Sequence, residues 1–352
     1  MSSLIYEPET SNILLGSRKI NFWFFKTQEE SKTSHDAPVA FAMYNTQFEN
    51  VVSGSDDGFI AVWDVENGRQ ITKFGDTHGK GAKLTAACFD STQRRMVTAG
   101  SDGTVKIWNF SNGSSLKNLV INEKEKKFSV DKEVTSLVCA YEPNNDEKPS
   151  YFVASGWDRR LRIWHDDREN ENEYFDVGKD LPTTKTTNNL DFHGDDIMSA
   201  IYDHHTNQVF TGGHDGTILA WNFETGFVKF YLHTKDKTCK SEKWIKDAKS
   251  VDCMYIMQDE EKVKGTEYVH ILVTGTADQR LRFWDLRDMS SNDYFLGSMH
   301  VGHNEEDALT AFCFNEDRTA LVTADSKGRI MLRDVSETNW LKDGANYAAT
   351  MK

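Results

Sequence analysis

Several residue groups in this 352-residue chain could do chemistry. Five aspartates, Asp57, Asp102, Asp158, Asp215 and Asp278, stand in short turn-like stretches beside small residues. Paired carboxylates suggest a metal site or acid–base work, but these five recur at equivalent points of similar sequences. Asp is favoured in tight turns because its carboxylate accepts nearby backbone N–H bonds. The stretch "GDTHGKG" (75–81) resembles a phosphate loop, which needs four residues between Gly and Gly-Lys and then Ser or Thr. Here the gap is three residues and Gly81 follows the lysine, so the match fails. G-x-S-x-G, H-E-x-x-H and a helix-opening G-x-G-x-x-G are all absent. Cys88, Cys139, Cys253 and Cys313 sit among apolar neighbours on strand-like runs, and Cys239 lies in a polar loop. Five cysteines without C-x-x-C fit reduced thiols in the cytoplasm better than a disulfide framework. The reading is no catalytic residue, no metal site and no cofactor.

The positioning elements are repeats. "VVSGSDDGFIAVWD" (51–64), "MVTAGSDGTVKIWN" (96–109), "FVASGWDRRLRIWH" (152–165), "VFTGGHDGTILAWN" (209–222), "LVTGTADQRLRFWD" (272–285) and "LVTADSKGRIMLRD" (321–334) share one plan, and "NILLGSRKINFWFF" (12–25) is a weaker copy. Each runs from a β-rich stretch through a small-residue turn to alternating apolar residues. The repeat-end residues are 23, 63, 108, 164, 221, 284 and 333, Trp in every unit but the last, where it is Arg333. A period near 50 residues points to stacked or radial repeats. Alternation, β-branched residues and Gly/Asn/Asp turns say strand, about four per unit. A four-stranded sheet hides both faces only between neighbours, which a radial array provides. The expectation is an all-β, seven-bladed β-propeller of four-stranded antiparallel blades, forming one domain over 1–352. The first unit has no preceding outer strand, so the tail "ETNWLKDGANY" with Trp340 is expected to edge the last blade.

These motifs resemble the WD-repeat (G-protein-β-like) propellers. His35, His78, His193 and His303 each precede their repeat-end residue by 28 or 30 positions. The resemblance implies buried networks His35–Ser53–Asp57–Trp63, His78–Thr98–Asp102–Trp108 and His193–Thr211–Asp215–Trp221. The fourth and sixth units lack the His. "SHDAPVAFAMYN", "THGKGAKLTAACFD", "SGWDRRLRI" and "FHGDDIMSA" further resemble one propeller of the tandem-propeller WD-repeat proteins of motile cilia. An EF-hand loop is absent.

Subtracting the repeat leaves informative departures. In the fourth unit Ser155, Asp158, Leu161, Ile163 and Trp164 read as scaffold, and "HDD" (165–167) as the start of a surface connection. Trp157, Arg159 and Arg160 replace small turn formers, with Arg159 at the glycine position of other units. An aromatic beside arginine is the composition of an interface anchor. "HTKDKTCKSEKWIKDAK" (233–249) is a lysine-rich insertion in an acidic chain. A short helix capped by Ser241 would align Lys243, Lys246 and Lys249 beside Trp244. An acidic partner such as a tubulin tail would suit that face. The remaining insertions read as solvated loops.

The bulk numbers agree with a protein-binding role. A net charge of −14 argues against whole-surface binding to nucleic acid or anionic membrane. The densest apolar run, "INFWFF", is far short of the ~20 residues that span a bilayer, and no secretory signal is evident. The expected function is a non-catalytic protein–protein interaction scaffold in a ciliary, axonemal or cytoskeletal assembly. The alternative is a substrate receptor of a cullin-type ubiquitin ligase, through the W-D-x-R sequence "WDLR" (284–287), unless Arg287 merely pairs with a nearby carboxylate.

Overall fold

The computed structural model describes residues 35–75, 77–79, 81–119, 133–141, 150–166, 192–222, 225–232, 249–258, 269–287, 289, 294–301, 307–315 and 317–335, with the strand backbones at 3–7, 12–16, 20–24 and 174–177. All described regular structure is β-strand, in antiparallel meanders.

The N-terminal sheet holds β1 (Ser3–Glu7), β2 (Asn12–Gly16) and β3 (Ile20–Phe24). The second unit folds as β4 (Val39–Asn45), β5 (Asn50–Ser55), β6 (Ile60–Asp64) and β7 (Gln70–Phe74). The third comprises β8 (Leu84–Phe89), β9 (Arg95–Gly100), β10 (Val105–Asn109) and β11 (Ser115–Leu119). The fourth has β12 (Val134–Ala140), β13 (Tyr151–Gly156), β14 (Leu161–His165) and β15 (Tyr174–Val177). The fifth has β16 (Ile197–Asp203), β17 (Gln208–Gly213), β18 (Ile218–Asn222) and β19 (Val228–Leu232). The sixth has β20 (Val251–Gln258), β21 (His270–Thr276), β22 (Arg280–Asp285) and β23 (Phe295–His300). The last contains β24 (Leu309–Phe314), β25 (Ala320–Asp325) and β26 (Ile330–Asp334).

The arrangement is a β-propeller, but the expected seven blades of four strands need correction. Six blades, from β4 to β26, hold four strands each except the last, which shows three. The N-terminal stretch does not make a seventh four-stranded blade. It forms a three-stranded sheet, β1–β2–β3, whose β1 lies between β24 and β4. The sequence gives a physical reason. Other units follow the third strand with an alternating run such as "RQITKF", whereas "FKTQEESKTS" (25–34) is polar without apolar alternation. The tail with Trp340 lies outside the described residues.

Alternation explains the core. Second strands such as β5 and β17 are buried along their whole length, because both faces meet neighbouring blades. Outer strands such as β7 are half-exposed. Between the second and third units, Val52, Ile60 and Val62 pack against Leu84, Met96 and Trp108. Between the third and fourth, Val97, Val105 and Ile107 meet Phe152 and Trp164. The first strand of each of the six blades shifts register at one matching place, as between Val39 and Phe41 or Leu84 and Ala86. Such a bulge bends and twists a strand locally.

Candidate functional site

With each blade named by the unit that forms it, the most ordered polar chemistry lies inside the third and fifth blades, β8–β11 and β16–β19. Trp108 Nε1 donates to Thr98 Oγ1 at 2.8 Å, and that hydroxyl meets His78 Nε2 at 2.8 Å. His78 Nδ1 contacts Thr104 Oγ1 at 2.6 Å, and Thr104 donates to Asp102 Oδ1 at 2.8 Å. A neutral imidazole with its proton on Nδ1 satisfies every link, since each hydroxyl accepts once and donates once. The fifth blade repeats the relay. Trp221 donates to Thr211 at 2.7 Å, Thr211 meets His193 Nε2 at 2.6 Å, His193 Nδ1 meets Thr217 at 2.8 Å, and Thr217 donates to Asp215 at 2.7 Å. The resemblance implied four-membered networks. The structure adds a fifth member, Thr104 or Thr217, between imidazole and carboxylate. The shared "DGT" of the two units was the signal for it.

Glycine makes the space. A Cβ on Gly100 would stand 2.7 Å from Asp102 Oδ1 and 2.9 Å from His78 Nδ1, and one on Gly213 would crowd Asp215 and His193 equally. In the second blade Ser55 fills that place and donates to Asp57. His35 Nε2 still meets Ser53 at 2.7 Å, and Trp63 donates to the same hydroxyl at 2.8 Å. Burial pushes His35, His78 and His193 down to about 4, with Lys73 and Lys106 adding to the fall in the first two. These residues hold the blade together, and their imidazoles are uncharged near neutrality.

The units without histidine use arginine. Arg282 Nη2 bonds Asp278 Oδ2 at 2.6 Å, and Arg162 pairs with Asp158 in the same relation four residues apart. Each guanidinium comes from the third strand and reaches back to the turn aspartate. Arg282 holds Asp278 below the usual carboxylate range against the opposing effect of burial. In the sixth blade Trp284 donates to Thr274 at 3.0 Å. In the fourth, Ala154 stands opposite Arg162 where Thr274 stands opposite Arg282, so the hydroxyl is missing from that place. Ser155, read as scaffold from sequence, lies one position on, opposite Leu161. Arg333, the Trp replacement, donates to the Val301 carbonyl. His303 lies outside the described residues.

The four described cysteines stand on the first strands of four blades and are at least partly buried. Burial raises all four thiols, Cys139 and Cys313 to about 12. Such thiols are poor nucleophiles. Cys239 lies outside the described residues. Among those residues, no group of three or more His, Cys, Asp and Glu side chains could hold a metal ion.

The turn at Trp157 puts a long side chain on a left-handed backbone. Arg159 has φ 63°, where Gly58, Gly103, Gly216 and Gly328 take 80–84° at the same place. A side chain in this region costs about 1 kcal/mol relative to glycine. Gln279 of the sixth blade shares the conformation at φ 62°, and its amide donates to the Asp307 carbonyl at 2.7 Å. Trp157, Arg159 and Arg160 are each half-buried, side by side on the face of the turns between second and third strands. Trp157 N donates to the Glu133 carbonyl at 3.1 Å, and Arg160 N to Asp158 at 3.3 Å. Lys249 is exposed two residues before β20, while Lys243, Trp244 and Lys246 lie outside the described residues. Arg287 folds back on Asp285, its Nη2 2.6 Å from Oδ2 and its Nε 2.9 Å from Oδ1.

Antiparallel sheets around a ring, with Trp–hydroxyl–His relays inside them, define a repeat-built β-propeller. Residues 28–64, 68–109 and 184–222 match the family described as WD domain, G-beta repeat. A "WD repeat-containing protein on Y chromosome" of Drosophila willistoni is 30% identical over 233 residues, covering 60% of this chain and 19% of that protein. Proteins of the same description from Drosophila mojavensis and Drosophila virilis are 31% identical over 201 residues, 55% of this chain and 14–15% of theirs. Three stretches of the chain therefore match WD repeats, and the chain spans under a fifth of the length of these curated relatives.

Proposed function

We propose that this propeller is a non-catalytic scaffold that binds other proteins, with the fourth-unit turn at Trp157, Arg159 and Arg160 as one contact point. One observation carries the reading. Four of the described blades place glycine at the left-handed turn position, and this blade places an arginine flanked by Trp157 and Arg160. Trp and Arg are the side chains that concentrate binding energy at protein interfaces. Among the described residues, the turn aspartates Asp57, Asp102, Asp158, Asp215 and Asp278 are each bonded within their own blade, which supports a scaffold over an enzyme. The setting we propose is a ciliary or cytoskeletal assembly, following the resemblance of the repeat sequences to propellers of motile cilia.

The test is co-purification from cells with the tagged full-length protein. Trp157→Ala with Arg160→Glu is expected to lose a specific set of partners while the melting temperature stays within a few degrees. An unchanged partner set would refute the assignment of this turn. The ubiquitin-ligase reading draws no support from geometry, since Arg287 is engaged with Asp285.

A further inference from the structure

Two places beyond the repeat-end residue, the chain after the third strand bonds to the hairpin joining the first two strands in four blades. Phe110 N donates to the Arg94 carbonyl at 3.1 Å, Asp166 N to Ser150 at 2.9 Å, Leu286 N to His270 at 2.9 Å and Val335 N to Thr319 at 2.7 Å. These four residues therefore occupy one place in the repeat, shared in sequence by Val65. Val65, Phe110, Leu286 and Val335 are buried. Phe110 shows what the place does, packing against Phe48 and Phe89 at the seam between the second and third blades. In the fourth unit it is Asp166.

A carboxylate does not plug an apolar seam, and here it is held by the preceding blade. Arg95 donates to Asp166 Oδ1 and Oδ2 at 2.8 and 2.6 Å, its Nε reaches Asp90 at 2.9 Å, and Ser150 donates to Asp166 at 2.9 Å. Beside this cluster a groove of about 510 Å³ opens between the third and fourth blades. Ile107 and Leu119 line it, with Leu116, 52% exposed, at the outer strand. Arg94, Lys117 and His165 line it too, beside Arg95 and Asp166. The Arg94 guanidinium makes no hydrogen bond or ion pair with a described residue. In a chain of net charge −14, this is a local cationic rim around an apolar floor.

We infer that this groove docks an extended segment of a partner protein in which an acidic residue adjoins an apolar one. The apolar side chain rests on Ile107, Leu116 and Leu119, and the carboxylate meets Arg94 and Lys117. Concave, largely apolar sites with a few placed polar groups are the usual form of a binding pocket, and charge complementarity selects the acidic segment. The groove opens on the side of the turns joining first to second strands, opposite the Trp157 turn. The inference is thus a second contact, independent of the first.

The test uses fluorescence polarisation of two labelled peptides with the whole chain: Gly-Ser-Asp-Leu-Glu-Phe-Ser-Gly, and the same peptide with lysine for both acidic residues. The acidic peptide is expected to bind saturably and more weakly at high salt, and the basic one not to bind. Arg94→Glu with Leu116→Ser, both on exposed residues, is expected to weaken binding about tenfold or more. Arg95→Leu with Asp166→Leu fills the seam while keeping Arg94 and Lys117, and is expected to abolish it. No binding of the acidic peptide, equal binding of both peptides, or binding unaffected by either variant would overturn the inference. Melting curves of both variants confirm that they fold.

Discussion

Arg95 and Asp166, 71 residues apart, face each other through two contacts of 2.8 and 2.6 Å across the seam between two blades. Bidentate pairs of this kind are strong because the guanidinium fork matches the carboxylate. Their partly buried setting makes loss of one partner costly and joint replacement cheap. Asp166→Leu alone is expected to destabilise the protein by about 2–4 kcal/mol. Adding Arg95→Leu should recover most of that loss, and urea unfolding of the four proteins in the cycle measures both effects.

The relay in the third blade depends on Thr104. Thr104→Val keeps the shape but removes the hydroxyl between His78 Nδ1 and Asp102. Leaving a buried donor without its acceptor costs about 1–3 kcal/mol. The same loss is expected for Thr217→Val, whereas Thr85→Val, which removes only one bond to the Ala99 carbonyl, should cost less. Thermal melts of the three variants provide the comparison.

Acid should weaken the fold in a defined window. His35, His78 and His193 are lowered to about 4 in the folded protein, against 6.5 for free imidazole. Between these values the unfolded chain binds protons that the folded chain refuses, so stability falls as pH drops from 6.5 and levels off below 4. A series of melts across that range should show the fall. His78→Gln is expected to start less stable and to lose less over the same interval. Parallel curves for the two proteins would contradict the assignment.

The lysine-rich insertion gives a separate outcome. Lys243→Glu, Lys246→Glu and Lys249→Glu together are expected to reduce low-salt co-sedimentation with microtubules severalfold, because exposed charge contacts act mainly at low ionic strength. Unchanged sedimentation would remove the insertion as a tubulin contact.

Much of this architecture was legible because it repeats. Trp63, Trp108, Trp221 and Trp284, their Ser or Thr partners and the turn aspartates recur at set distances, and the fold brings them together. Arg162 and Arg282 were equally visible, in "DRRLRI" and "DQRLRF". They pass for ordinary alternating residues until the missing histidine is matched to the added guanidinium. Asp166 is different. Its place is apolar in the second, third, sixth and last units, yet "HDD" reads as the start of a solvated connection. Arg95 lies in another unit, so only the seam shows why the carboxylate is there. The N-terminal stretch was over-counted because "NILLGSRKINFWFF" copies the repeat weakly enough to pass for a seventh unit, whereas its sheet has three strands.

The first-strand cysteines turn the propeller into its own clock. Cys88, Cys139, Cys253 and Cys313 come from four different blades, and burial keeps their thiols protonated at neutral pH. A thiol reagent that captures thiolate therefore waits until a blade loosens. The order in which the four sites acquire label, read by mass spectrometry, then records the order in which the ring comes apart.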